Sequence, residues 1–174
     1  NPRAGLGSYT LAVWLRPSEL NGDNFFFGQT SQGIHDGIQG AKLRHAHWGA
    51  DYSGGTTLTA DTWIHAAYTY DGVTNTGTVY LNGVQDGTSS QNPPNGNGTM
   101  ILGARNGGQG GFRGDADDAV IWGDVLTAAE ITALAGGADP LAGVADTDAD
   151  NLPDGYEMHH AGNLTDLSGL AGND

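Results

Sequence analysis

The sequence predicts an all-β protein of short antiparallel strands, and three observations carry that prediction. From Trp63 to Tyr70 the chain alternates, with Ile64, Ala66, Tyr68 and Tyr70 on one side and His65, Ala67 and Thr69 on the other, the period of two that a strand imposes. After a turn at Asp71-Gly72, the β-rich run Thr78 to Leu81 leads into Asn82-Gly83, a dipeptide suited to a type I′ hairpin because both central residues need positive φ. Thirty glycines among 174 residues, against 8% aromatic residues, imply many turns between short strands, while 37% hydrophobic residues keep the chain globular.

The length suits one sizeable core, or one core and a small appendage. No apolar run approaches the ~20 residues of a membrane helix, and no signal peptide is present in the stretch, so a soluble, already trimmed segment without membrane insertion is expected. Cysteine is absent, which excludes disulfides and thiol-based metal or catalytic sites and fits a bacterial extracellular protein. The formal charge of −14 is uneven: residues 1–138 hold 12 acids and 6 bases, whereas 139–174 hold 8 acids and no Lys or Arg. That balance excludes nucleic acid as a partner, since phosphate contacts need a basic surface. A cation is the natural partner of the acidic end.

Taken in order, Asn1 to Ser8 make a poor strand, being rich in small residues and glycine. Tyr9 to Leu15 alternate Leu11, Val13 and Leu15 against Thr10, Ala12 and Trp14, which predicts an inner strand ended by Arg16-Pro17. Asn24-Phe-Phe-Phe-Gly28 is an apolar run with turn residues at both ends, as a buried strand has. The strand at 63–70 is expected to be central, with His65 structural. From Gly87 to Gly98 the composition of Ser, Asn, Pro and Gly predicts a long surface loop. Met100 to Arg105 reads as another buried strand, and Asn106 to Gly111 as a flexible loop whose glycines allow close approach to a ligand or simply a tight connection. Thr127 caps a short helix over 128–135, with Glu130 completing a capping box and Gly136-Gly137 closing it.

Between residues 33 and 52 lies the least generic stretch, with His35, His45, His47, Trp48, Asp51 and Tyr52 close in sequence. In a strand over 42–48, Leu43, His45 and His47 share one face and Lys42, Arg44, Ala46 and Trp48 the other. On one reading the cluster is a sugar site, in which a pyranose stacks on Trp48 or Tyr52 while the histidines, Asp51 and Arg44 supply hydrogen bonds. On the other, the histidines are hydrogen-bonded structural residues and Trp48 packs in the core. A transition-metal site from His45 and His47 would need a third ligand from elsewhere.

The acidic end carries Asp146, Asp148, Asp150, Asp154 and Glu157 at loop positions 1, 3, 5, 9 and 12, the spacing that lets one loop wrap a Ca2+ ion. Leu152 would offer its backbone carbonyl at position 7, and the ion would offset repulsion among the carboxylates. Asn151 stands where glycine is usual and tolerates the left-handed turn better than most residues. The alternative is a disordered acidic linker.

Three blocks then stand out together: Trp63-Ile-His-Ala-Ala-Tyr-Thr-Tyr-Asp71 with Val79-Tyr-Leu-Asn-Gly83; Phe112-Arg-Gly-Asp-Ala-Asp-Asp-Ala-Val-Ile-Trp122; and Leu126-Thr-Ala-Ala-Glu-Ile131. In order and spacing they closely resemble the laminin-G-like branch of the concanavalin A-like lectin/glucanase family, over residues 8–136. The resemblance implies a jelly-roll sandwich of two antiparallel sheets, usually an extracellular module that binds glycans, proteins or calcium. It also implies that Asp117 of the Asp117-Asp118 pair is a candidate to help hold a structural calcium or to fix the strand, with Asp115 a weaker candidate; the alternative is solvated strand-end carboxylates. The acidic end is similar to thrombospondin type 3-like and dockerin-like calcium repeats, so residues 1–138 are expected to form the jelly-roll domain and 139–174 an incomplete calcium-binding segment. The family usually has a strand before Tyr9. Its lack here implies a module excised from a longer protein, or a sandwich edge supplied by a neighbouring chain through strand addition.

Glucanases of this fold resemble Glu-x-Asp-x-x-Glu or Glu-x-Asp-x-Glu on one strand, whereas the only glutamates here are Glu19, Glu130 and Glu157. No nucleophile-elbow motif is present either. The expectation is a non-catalytic, calcium-stabilised module at the cell surface or outside the cell whose partner is a glycan or polysaccharide. The 41–52 region and the 106–113 loop, with Asn106 and Arg113, form its favoured face. The alternative is a structural or adhesive module that joins neighbouring subunits.

Overall fold

The structure, a computed structural model, describes residues 7–30, 33–94 and 98–140. Among the described residues ten strands run in chain order: β1 Tyr9–Pro17, β2 Asp23–Gln29, β3 His35–Gln39, β4 Lys42–His47, β5 Ala50–Ser53, β6 Ile64–Asp71, β7 Thr76–Leu81, β8 Val84–Ser90, β9 Met100–Leu102 and β10 Gly114–Trp122. The α-helix among the described residues, α1, spans Ala128–Ala135. The strands form two five-stranded antiparallel sheets, ordered β10-β1-β6-β7-β8 and β5-β4-β3-β2-β9, that face each other as a jelly-roll sandwich. Among the described residues no helix is long and apolar enough to cross a membrane.

The core follows from the alternation. Leu11, Val13 and Leu15 of β1 and Ile64, Ala66, Tyr68 and Tyr70 of β6 face Phe27, Ile38 and Leu43 of the opposing sheet, all buried. Each large apolar side chain so buried contributes roughly 1.5–3 kcal/mol. Strand β6 lies at the centre of its sheet and is buried on both faces, because its other side, at Ala67, meets Ile131 of α1 together with Ala12 and Tyr80. Two small residues on the sheet give the helix room.

Asn82 and Gly83 take φ values of 50° and 81° and join β7 to β8, as a type I′ turn requires. The Thr127 hydroxyl accepts from the Glu130 N–H while the Glu130 carboxylate accepts from the Thr127 N–H, so the capping box is complete. Three stretches depart from expectation. The loop expected from Gly87 begins later, since β8 runs to Ser90, pairing Thr88 with Thr78 and Ser90 with Thr76. Its polar composition reflects an exposed edge rather than a break in pairing. Strand β3 is the central strand of the second sheet although His35, Asp36 and Gln39 are polar, because neighbouring strands on both sides cover it. The 100–105 strand is short because the chain turns at Gly103, where φ is 81°. The assignments to 1–6 and 141–174, the calcium loop among them, lie outside the described residues.

Candidate functional site

The sequence-predicted ligand residues separate into three places, and the pleat of the second sheet explains why. On β4, Leu43, His45 and His47 share one face as expected, but it is the inner face, and all three are buried. His45 Nδ1 lies 2.9 Å from Asp36 Oδ1 of β3, which also accepts from the Ala46 N–H at 2.8 Å, and His45 Nε2 lies 3.1 Å from the Thr69 carbonyl of the other sheet. The Asp36–His45 pair thus meets the need of buried ionisable groups for close partners. His47 Nδ1 donates to the Asn92 carbonyl at 2.7 Å, which leaves Nε2 to accept from the Tyr9 hydroxyl at 2.5 Å. Burial first, and the neighbouring His45 second, lower the pKa of His47 from 6.5 to about 4. Burial also raises Tyr9, with Asp36 adding to it.

Tyr52 projects inward as well, packing on the core with its ring centroid 5.8 Å from that of His45, and burial raises its hydroxyl well above the usual range. His45, His47 and Tyr52 are therefore interior residues. The face that looked polar enough for a ligand is a polar seam inside the sandwich.

The second place is the outer face of the same sheet, near its β5 edge. Here the Arg44 guanidinium donates to Asp51 Oδ2 at 3.0 Å and to Ser53 Oγ at 3.4 Å. His35 Nε2 stands 3.4 Å from the same Asp51 oxygen. Trp48, just past β4, lies over His35 with ring centroids 5.5 Å apart and keeps 46% of its surface exposed. On its other side His35 meets the edge of Phe25 at 5.5 Å, and the Arg105 guanidinium lies 5.5 Å from the centre of that Phe25 ring. An exposed indole beside a carboxylate and a guanidinium offers an apolar platform with hydrogen-bond donors and acceptors at its rim.

Asn106 and Arg113 occupy the third place, by the connection from β9 to β10, and β9 is the edge of the sheet opposite β5. Arg113 pairs with Glu19 at 2.7 Å and its N–H donates to Asn24 Oδ1. Asn106 begins a short 3-10 turn whose Gly107 and Gly108 have positive φ. Gly110 and Gly111 of the 106–113 loop pack on Phe25, so the loop reaches the Trp48 face only through the Phe25 and His35 rings.

Asp117 lies on the first sheet, in a cleft with Trp14, Trp63 and Asp118. Its Oδ1 accepts from the Asp118 N–H at 2.9 Å, and Asp115 is paired with Arg16. Among the described residues no group of three or more His, Asp or Glu side chains is placed to hold a metal ion. Two carboxylates supply fewer oxygens than the six to eight that Ca2+ takes, so an ion held at Asp117 would need further oxygens from backbone carbonyls or water. The cleft escapes a linear reading because its residues lie on β1, ahead of β6 and on β10. Its one local signal is Trp14, which is out of phase with the inward Leu11, Val13 and Leu15.

Comparison with known proteins gives a consistent picture. The family model described as the concanavalin A-like lectin/glucanases superfamily matches residues 2–132. No curated protein matches the sequence. Among solved structures, a putative carbohydrate binding protein from Bacteroides ovatus superposes with a TM-score of 0.67 at 20% identity, covering 79% of this chain and 43% of that one. Domain 4 of the extracellular GH43 arabinanase AbnA from Geobacillus stearothermophilus, in complex with arabinotriose, gives 0.60 at 26% identity, with 74% and 66% covered. The CBM40 of the Ruminococcus gnavus IT-sialidase, bound to α2,3-sialyllactose, gives 0.56 at 16% identity, with 76% and 85% covered. The chain thus spans less than half the length of the Bacteroides ovatus protein.

Proposed function

The chain belongs to the concanavalin A-like lectin/glucanases superfamily, and on that footing we propose that it is a non-catalytic carbohydrate-binding module of a larger secreted or cell-surface bacterial protein. The observation that carries the reading to a place is Trp48, half exposed on the outer face of the second sheet with the Arg44–Asp51 pair beside it and His35 beneath. A sugar ring laid on the indole would bury its C–H face there and direct hydroxyls to Asp51 and Arg44. The three structural relatives, each named for a carbohydrate or for carbohydrate binding, support the same class of ligand. Against catalysis stand the glutamates: Glu19 is paired with Arg113 and Glu130 caps α1.

A glycan array of plant, animal and bacterial oligosaccharides tests the reading, followed by Trp48→Ala and Asp51→Asn on any positive. Each substitution should weaken binding at least tenfold with the melting temperature unchanged. Binding that ignores both variants would move the site elsewhere, and an array with no positive would remove the reading.

A second reading is favoured by β10, which among the described residues pairs with β1 alone and is exposed from Gly114 to Ala119. A strand from a neighbouring subunit could add to that edge, as a structural or adhesive module requires. Light scattering at rising concentration tests it, since a monomer throughout would count against it. The five-carboxylate spacing of Asp146 to Glu157 supports a Ca2+ loop beyond the sandwich.

A further inference from the structure

The cleft on the opposite face of the molecule has a different chemistry. Along β1 the outward residues of the first sheet are Thr10, Ala12, Trp14 and Arg16, and α1 covers the Ala12 end. Trp14 lies directly across from Asp117 of β10 on one side and from His65 of β6 on the other, its ring 5.3 Å from the imidazole. Trp63, immediately before β6, keeps 42% of its surface exposed. Between Ala12 and Trp14 the pairing with β10 slips, so that β10 spends one residue more than β1. Asp118 takes up that extra residue with φ at 48°. Such a bulge re-aims side chains, and both Asp117 and Asp118 line the cleft with the two indoles, around a volume of about 300 Å³. That is the lower end of the range for small-molecule sites.

The charges in this cleft are unbalanced. Arg16 is bound to Asp115 through Nε and Nη2 and its guanidinium lies 5.7 Å from the Trp63 ring centre, while the His65 imidazole stands against Trp14. Neither Asp117 nor Asp118 has a basic partner among the described residues. Two indoles and two carboxylates without a basic partner favour one kind of guest. Indole attracts cations through its quadrupole, most strongly those that shed water easily, and the carboxylates add charge attraction. A neutral sugar would use the rings but leave the carboxylates uncompensated.

We propose that the cleft formed by Trp14, Trp63, Asp117 and Asp118 binds a small organic cation, an ammonium group carried on an apolar or sugar frame. The site is independent of the Trp48 face and of carbohydrate binding there.

Tryptophan fluorescence or NMR titration with choline, in chelator and at constant ionic strength, tests the proposal, with 3,3-dimethylbutanol as the neutral analogue of the same shape. Glucosamine and N-acetylglucosamine make the same comparison on a sugar frame, so the two pairs also identify the carrier. Choline or glucosamine should bind at least tenfold more tightly than its neutral counterpart. The double variant Asp117→Asn, Asp118→Asn should abolish that preference. Asparagine tolerates positive φ and can still accept the 117–118 hydrogen bond, so the bulge survives. Trp63→Ala should weaken the cation at least fivefold, whereas Trp48→Ala should leave it unchanged. Equal binding of charged and neutral partners, cation binding that survives the double variant, or no binding by either cation would overturn the proposal. An unchanged melting temperature in the variants ensures that lost binding is not lost fold.

Discussion

Tyr9 donates its hydroxyl to His47 Nε2 at 2.5 Å, joining β1 of one sheet to β4 of the other inside the sandwich. The geometry requires a neutral imidazole, because Nδ1 is already a donor to the Asn92 carbonyl and Nε2 must keep a lone pair for the hydroxyl. Tyr68 bridges the sheets similarly, donating to the Gly37 carbonyl at 2.9 Å. Polar contacts therefore register the two sheets where apolar packing alone is tolerant of sliding.

The Tyr9–His47 contact makes stability depend on pH. The folded-state pKa of His47 is lowered from 6.5 to about 4, so below 6.5 the unfolded chain takes up a proton that the folded chain refuses. This contribution is complete above pH 6.5 and declines as pH falls towards 4. At 1.36 kcal/mol per pKa unit the full loss is about 3 kcal/mol. Urea denaturation at pH 7, 5.5 and 4.5 should show the decline, and His47→Gln should reduce it, leaving the share of His65, whose pKa burial also lowers. Asp71 and Glu130, whose carboxyls are held low by hydrogen bonds from the Thr74 and Thr127 segments, lose their stabilisation only as pH falls from 3.8 and 4.5. A wild-type stability that stays level from pH 7 to 4.5 would refute the buried neutral histidine.

Gly83 couples the β7–β8 hairpin to the helix. Its φ is 81°, and an added Cβ would stand 3.0 Å from Thr132 Cα and 3.1 Å from Ala135 Cβ. Gly83→Ala therefore combines a left-handed backbone penalty of about 1–2 kcal/mol with crowding of α1. We expect at least 2 kcal/mol of destabilisation by chemical denaturation; a change under half of that would mean the turn readjusts freely.

Helix α1 depends on its cap, since it is only eight residues long. Thr127→Ala removes the hydroxyl that accepts from the Glu130 N–H and donates to the Glu130 carboxylate, leaving only the residue 127 N–H on that carboxylate, and should cost about 1 kcal/mol. Ligand binding at Trp48 should be untouched, because α1 packs on the outer face of the other sheet. Circular dichroism melts and the glycan assay on the same sample give both readouts.

Calorimetric titration of chelator-treated protein with Ca2+ separates the two calcium expectations. One site that disappears on truncation after Gly137 is expected, from the Asp146 to Glu157 loop. A second site that survives truncation would require oxygen donors near Asp117 beyond its own carboxylate and that of Asp118. Absence of any Ca2+ binding would reduce the acidic end to a linker.

The linear sequence determined the elements whose causes are local. Alternation defined β1 and β6, Asn82-Gly83 defined a turn, and Thr127 with Glu130 defined a helix start, because each depends on residues within a few positions of one another. Alternation assigns residues to two faces but does not say which face is inside. On β4 the histidines looked like the exposed choice, yet their partners Asp36, Thr69, Tyr9 and Asn92 lie 9, 24, 38 and 45 residues away and come together only in the folded sandwich. Trp14, Trp63, Asp117 and Asp118 likewise became one cleft only because the sheet order β10-β1-β6 and a one-residue bulge brought them together. The tertiary structure decided the inside and the outside of this protein, since burying a polar side chain is affordable only where distant strands supply its hydrogen bonds.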